Sequence, residues 1–381
     1  MQVHEMVDLV TSDEPPMRYD TDGIVNAGRR AQRRRRASWA GVGVFAAVAV
    51  VVGAAVGLPA LTNHPAKSVT PAAAPVAATQ LPVADPFTFT FKGFSIGKFQ
   101  VQSPIDASSA YQIASVYETG RVTQDYSVTP PKKPPVQAKP LLYAYLTLYR
   151  PGAFDPTKVV GGHLTTIDGH QAVEATGPGE TRDITHTTLG WQYAGNVWAV
   201  VDTFSNSSTD PSIQNLKVLI AGLQGATPTA ETVPFSMSYV PAGYKLVEAS
   251  THSMPGLNGI AVARNGDYGG AIFAKPALPT TGLTQPYGGS AGANPPGSFD
   301  VFIVPNANSN EQLHSGQTPP PEPVCEHGFC NLWSSDGSVQ IQVSSNGRLS
   351  NSEMSKIAKG IHLADVKNPA SWPEVSTALV P

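Results

Sequence analysis

Charge is scarce in this chain: only 14% of its 381 residues are Asp, Glu, Lys or Arg, and residues 37–66 contain none of the four. Cysteine is scarcer still, with only Cys325 and Cys330. Two cysteines cannot supply a disulfide scaffold, and they cannot fill a four-ligand zinc site unaided. Beyond residue 37 the chain carries 18 basic against 22 acidic residues, which excludes the basic face that a nucleic-acid binder uses. Phosphate loops, H-E-x-x-H and EF-hand loops are all missing, so no cofactor and no metal is expected. Glycine and proline are plentiful, at 35 each, as a chain with many turns and long connections requires.

The charge-free run sets the expected address. Residues 39–61 read WAGVGVFAAVAVVVGAAVGLPAL, long enough for a helix across a hydrocarbon core of about 30 Å. Arg29, Arg30, Arg33, Arg34, Arg35 and Arg36 stand just before it. By the positive-inside rule they keep the N-terminus in the cytosol and send the rest outside, as a single-pass protein of the cell membrane. The same arginines suit anionic lipid headgroups. A cleaved signal peptide is the competing reading, but its charged leader would be unusually long and residues 58–60 (LPA) make a poor cleavage site. Gly53 and Gly57 match the G-x-x-x-G packing motif, which leaves open a homodimer through this helix, beside chance in an Ala/Gly-rich segment.

The remaining chain divides by composition. Residues 1–37 form a cytosolic tail too short for a core of its own, with a cytosolic protein partner left open. A transmembrane helix is expected over 38–60, a Pro/Ala-rich linker over 61–86, a first extracytoplasmic module over 87–226, a second over 231–365, and a C-terminal tail over 366–381. The modules read as duplicates. Alternating Phe87-Thr88-Phe89-Thr90-Phe91 is echoed by Phe235-Ser236-Met237-Ser238-Tyr239, the period of a half-buried strand. Residues 97–101 match 243–247, Ile113-Ala114-Ser115-Val116 matches Ile260-Ala261-Val262-Ala263, and the apolar run 143–149 matches 299–304. Trp191, Gly195 and the run 197–201 match Trp333, Gly337 and 339–343, each a hairpin signal. An amphipathic helix then follows in both, opened by Asp210-Pro211 in the first and by Ser350-Asn351-Ser352-Glu353, a capping box, in the second. The expected class is α+β: an N-terminal transmembrane helix followed by two tandem antiparallel-sheet-plus-helix modules.

The stretch AGRRAQRRRR, the Ala/Val/Gly-rich anchor and the Pro/Ala spacer resemble actinobacterial single-pass membrane proteins associated with extracytoplasmic-function sigma factors. The Trp-x-x-x-Gly hairpin and its following helix are similar to the outer modules of anti-sigma-like members. The resemblance implies a signalling role but transfers no catalytic residues. The tail has no Cys and only His4, so the zinc-bound cytosolic domain of that family is lacking.

Local chemistry is thin. Gly288-Gly289-Ser290-Ala291-Gly292 fits G-x-S-x-G, but loop residues flank it where a nucleophile elbow needs a strand and a helix. Cys325 and Cys330, separated by Glu326-His327-Gly328-Phe329, fit a disulfide across a turn in an oxidising compartment; free thiols and a metal site with His327 are the other readings. His163 and His170 flank the Asp168-Gly169 turn and read as parts of a solvated hairpin that could bring them together. No catalytic set converges. The expected function is a membrane-anchored extracytoplasmic binding or sensory protein of the cell envelope. An anchored hydrolase and a structural envelope component are the alternatives.

Overall fold

The computed structural model describes residues 85–119, 141–178, 185–203, 212–264, 266–288, 294–309 and 311–379. All of them belong to one compact unit, Ala73–Pro381. Strands take 44% of the described residues and helices 14%.

The first half opens with β1 (Thr88–Phe91), β2 (Phe94–Ile96), β3 (Phe99–Val101) and β4 (Asp106–Ser108). Two long strands follow, β5 (Tyr111–Glu118) and β6 (Leu141–Tyr149). Then come β7 (His163–Ile167), β8 (His170–Pro178), β9 (Thr185–Ala194) and β10 (Val197–Thr203). The helices α1 (Ile213–Leu216) and α2 (Val218–Gly222) end this half. They lay Leu216 and Leu219, with Leu223 after them, over Trp191, Leu146, Leu148 and Val201. β6 reads LLYAYLTLY because both of its faces are covered, as near-continuous apolar strands require. Its other face packs Tyr145 and Tyr149 with Tyr111, Phe154 and Trp198.

The second half follows β11 (Gly225–Ala230), which pairs with β1. It contains β12 (Phe235–Met237), β13 (Lys245–Thr251), α3 (Leu257–Val262), β14 (Gly269–Ala274) and β15 (Ser298–Pro305). β16 (Val324–Glu326), β17 (Phe329–Trp333) and β18 (Val339–Ser344) complete its sheet. The helix α4 (Asn351–Lys359) is capped by Ser350, whose Oγ accepts from the Glu353 N–H. It buries Met354, Ile357 and Ala358 against Val301, Ile303 and Val343. β19 (Ile361–Leu363) pairs with β12, and a last short helix, α5 (Val375–Ala378), packs Val375, Ala378 and Leu379 into the same core.

The two halves share one antiparallel sheet, in the order β16-β17-β18-β15-β14-β13-β4-β5-β6-β10-β9-β8-β7, with β3 also paired to β5 and β2 to β3. The seam is β4 against β13.

These observations correct the expected fold class. The described chain is mostly β, and its two halves are joined edge to edge in one sheet rather than standing as tandem α+β modules. The expected first-module helix is short and interrupted at Lys217, so helix contributes less than the 3.6-residue pattern suggested. Ile260-Ala261-Val262, expected as a strand matching Ile113-Ala114-Ser115, lies in α3. The tail 1–37, the transmembrane helix expected over 38–60 and the linker up to residue 84 lie outside the described residues, and so do Arg29, Arg30, Arg33, Arg34, Arg35, Arg36, Gly53 and Gly57. Among the described residues no helix is long and apolar enough to cross a membrane.

Candidate functional site

The seam buries a row of polar side chains on one face. Its register pairs Glu248 with Ser108, Ala249 with Ala107 and Ser250 with Asp106. Opposed residues share a face, as do residues two apart on one strand. Asp106, Ser108, Glu248 and Ser250 therefore all point to one side, and the two alanines to the other. All four polar side chains are fully buried, and so are Glu231 and Ser253.

The hydroxyls are provided for. Ser108 Oγ accepts from the Ala110 and Tyr111 N–H groups, each at 3.0 Å. Ser250 Oγ donates to the Ile105 carbonyl at 3.0 Å and lies against Ser253 Oγ. The carboxylates are not. Asp106 Oδ2 accepts from the Gly256 N–H at 2.7 Å. Asp106 Oδ1 and both oxygens of Glu231 and of Glu248 lack a hydrogen bond of good geometry, although Asp106 and the Tyr111 hydroxyl lie against Glu248 and hold its carboxylate down. Gly256 sits at φ 88°, a left-handed conformation that glycine adopts without strain. That conformation aims its N–H at Asp106 just ahead of α3.

Burial dominates the electrostatics. It pushes Asp106 well above the usual carboxylate range, and the Glu248 charge, the approach of the Asp106 carboxyl as donor toward Glu248 and the Glu231 charge push the same way. Burial raises Glu248 to about 7. Glu231 is raised by burial and then by Glu248, with Arg150 opposing. Arg150 is itself lowered to about 10 by burial and reaches the carbonyls of Thr88 and Ser108, each at 3.4 Å. Tyr111 is raised by burial and by both facing carboxylates, while its hydroxyl accepts from the Tyr287 N–H at 2.9 Å. An isolated charge sealed from water is costly, and such groups take up protons instead. Asp106 and Glu248 thus form a buried acid pair, both raised above the usual carboxylate range, with a third raised acid beside it. With no solvent access the cluster cannot meet a substrate in this conformation, but it can hold and release protons.

A second feature lies on the same side of the sheet. A cavity of about 270 Å³ opens between α3 and the β15–β18 face, with Phe302 and Met254 beside Arg264, Asp267, Ser309 and Gln342. Asp267 is nearly buried and accepts from the Arg264 N–H and from Asn308 Nδ2, each at 2.8 Å. Arg264 Nη1 donates to the Asn308 carbonyl at 2.8 Å. The cavity thus offers a cation, amides and an apolar wall.

No protein family matches the chain, and no curated protein matches it in sequence. Among solved structures it is weakly similar to MucB in complex with MucA(peri), at a TM-score of 0.20 and 13% identity, covering 72% of this chain and 94% of that one. The complex of Pseudomonas aeruginosa MucA/MucB matches at a TM-score of 0.20 and 13% identity, covering 74% and 96%. A likeness of that size carries no argument about fold or function. The site rests on this chain's own residues.

Of the residues singled out from sequence, the structure joins one pair. Cys325 on β16 and Cys330 on β17 stand directly opposite and form a disulfide. His163 and His170 are held apart: His163 pairs with Glu174, whereas His170 pairs with Ile167 and bonds the Gln192 carbonyl through Nδ1 at 2.8 Å. Ser290 lies outside the described residues. Trp191 is a core residue, and Trp333 Nε1 donates to Asn306 Oδ1 at 3.2 Å. The metal reading of His327 gains no partners, since no group of three candidate ligands occurs among the described residues. Sequence reasoning missed Asp106, Glu231 and Glu248. The available signal was an acid within an otherwise apolar or small-residue strand, as in Leu246-Val247-Glu248-Ala249.

Proposed function

We propose that the described part of the chain is an extracytoplasmic binding or sensory module of the cell envelope, with residues 1–37 on the cytosolic side. The observation that carries the binding reading is the cavity of about 270 Å³ at Phe302 and Arg264, a concave site that sets an apolar wall beside convergent polar groups. Its size and donors suit a short peptide end, with the carboxylate on Arg264 and the amide on Gln342. The address is supported by the arginine run, the charge-free span and the Cys325–Cys330 bond. We also read the halves as a duplication. From the seam outward the strands run β5, β6, β10, β9, β8 on one side and β14, β15, β18, β17, β16 on the other, so in each half a later strand inserts beside the second.

Calorimetric titration of the full chain with alanyl-alanine, and with N-acetylglucosamine as a sugar control, tests the site. Binding of the dipeptide that weakens about tenfold or more in Arg264→Ala supports the reading. A dipeptide that gives no heat at millimolar concentration, or binds equally well to Arg264→Ala, overturns the cavity as a peptide-end site.

A further inference from the structure

We propose that Asp106, Glu248 and Glu231 form a proton-operated latch, which joins the two half-sheets while it is protonated and loosens β4 from β13 when its protons leave. The inference does not depend on what the cavity binds.

Three observations converge on this seam. The joint is thin: β4 meets β13 over three register positions and β5 over two, whereas β5 and β6 pair over eight. The joint is also where three fully buried carboxylates gather, with five of their six oxygens lacking a hydrogen bond of good geometry. Finally, the latch is tied to a packed element. Asp106 accepts from Gly256 at the start of α3, and Leu257 and Ile260 of α3 pack on Tyr145 and Ile113 of the first half. Tyr145 also donates to the Leu257 carbonyl at 3.0 Å.

The charged groups facing the cluster are few. Tyr111 comes from β5 and Tyr149 from β6, with Tyr287 from the loop after β14; all three are neutral until strongly alkaline pH because burial raises them. Arg150 follows β6 and is, among the described residues, the one cation acting on the cluster, through Glu231; it acts on Asp85 as well. Asp202 of β10 lies beyond, toward Tyr149. One cation cannot balance three carboxylates, so the closed seam needs bound protons. Closure and proton uptake are then linked, and opening is favoured by whatever removes the protons. A cavity of about 20 Å³, enough for one water, is lined by Gly256 and Tyr287, whose N–H groups bond Asp106 and the Tyr111 hydroxyl.

Hydrogen exchange of the full chain in detergent, followed by mass spectrometry at about pH 5 and about pH 8 and corrected for intrinsic exchange, reads the latch directly. Peptides covering 105–109 and 246–251 are expected to lose protection by about tenfold or more at the higher pH, the change that one unit of pKa shift carries. Peptides from β6, β10, β15 and β18 should hold. Glu248→Gln keeps a neutral side chain at every pH and should remove the dependence. Asp106→Asn serves where that variant does not fold. Infrared spectra at neutral pH should show a protonated carboxyl band in the wild type that both variants reduce. Seam protection independent of pH, a loss spread evenly over the sheet, or a pH profile unchanged in the folded variants overturns the latch. Absence of the carboxyl band overturns it even if neither variant folds.

Discussion

Asp106 and Glu248 lie on neighbouring strands with their carboxyl groups on the same face, offset by two register positions, and neither is exposed to solvent. Burial raises both, and the Glu248 charge raises Asp106 further, while Asp106 in turn holds Glu248 down.

Stability should therefore fall as pH rises. The folded chain holds protons on Glu248 up to about pH 7, whereas the unfolded chain releases them near its ordinary value of about 4. Asp106 and Glu231 shift the same way. The contribution is full below the unfolded value and is lost as pH rises through the folded one. Urea unfolding should show a loss of about 2 kcal/mol between about pH 5 and pH 8. Glu248→Gln should flatten the slope and exceed the wild type in stability at the higher pH. A midpoint that climbs with pH would contradict the assignment.

The helix α4 provides a contrast between core and surface. Ile357 is fully buried among Met354, Val343 and their neighbours, so Ile357→Ala should cost about 2–5 kcal/mol. Ser350→Ala removes the cap on Glu353 N–H and should cost about 1 kcal/mol. Exposed Ser352→Ala should change stability by less than about 0.5 kcal/mol. Denaturant midpoints of the three variants rank these effects, and equal losses would refute the packing of α4.

The Cys325–Cys330 bond closes a small ring at the sheet edge, five residues apart in sequence. Paired Cys→Ser variants should lose about 2 kcal/mol. In intact cells the thiols should resist a membrane-impermeant maleimide until a reductant is added. Alkaline phosphatase fused after Pro86 should be active, and fused after Arg18 inactive. The reverse pattern would place the sheet inside the cell.

Local signals were legible in the sequence. The alternation in Thr88–Phe91, the apolar run of Leu141–Tyr149, the Trp191 and Trp333 hairpins and the Ser350 cap of Asn351–Lys359 all appear as elements where composition placed them. Each depends on neighbours a few residues away, and period and capping are properties of that range. Ile260 to Val262 shows the limit: three small or branched apolar residues fit either a strand or a short helix, and packing on the first half chose the helix. The acid cluster was beyond reach for a different reason. Glu248 meets Ser108, and Ser250 meets Asp106, across about 140 residues of chain, and a three-residue strand has no period to read. An acid in a strand reads as solvent-facing until the partners of both its faces are known. Burial of Asp106 and Glu248 is decided by α3, Tyr111 and Tyr287 closing over them, a non-local event that only the tertiary structure records.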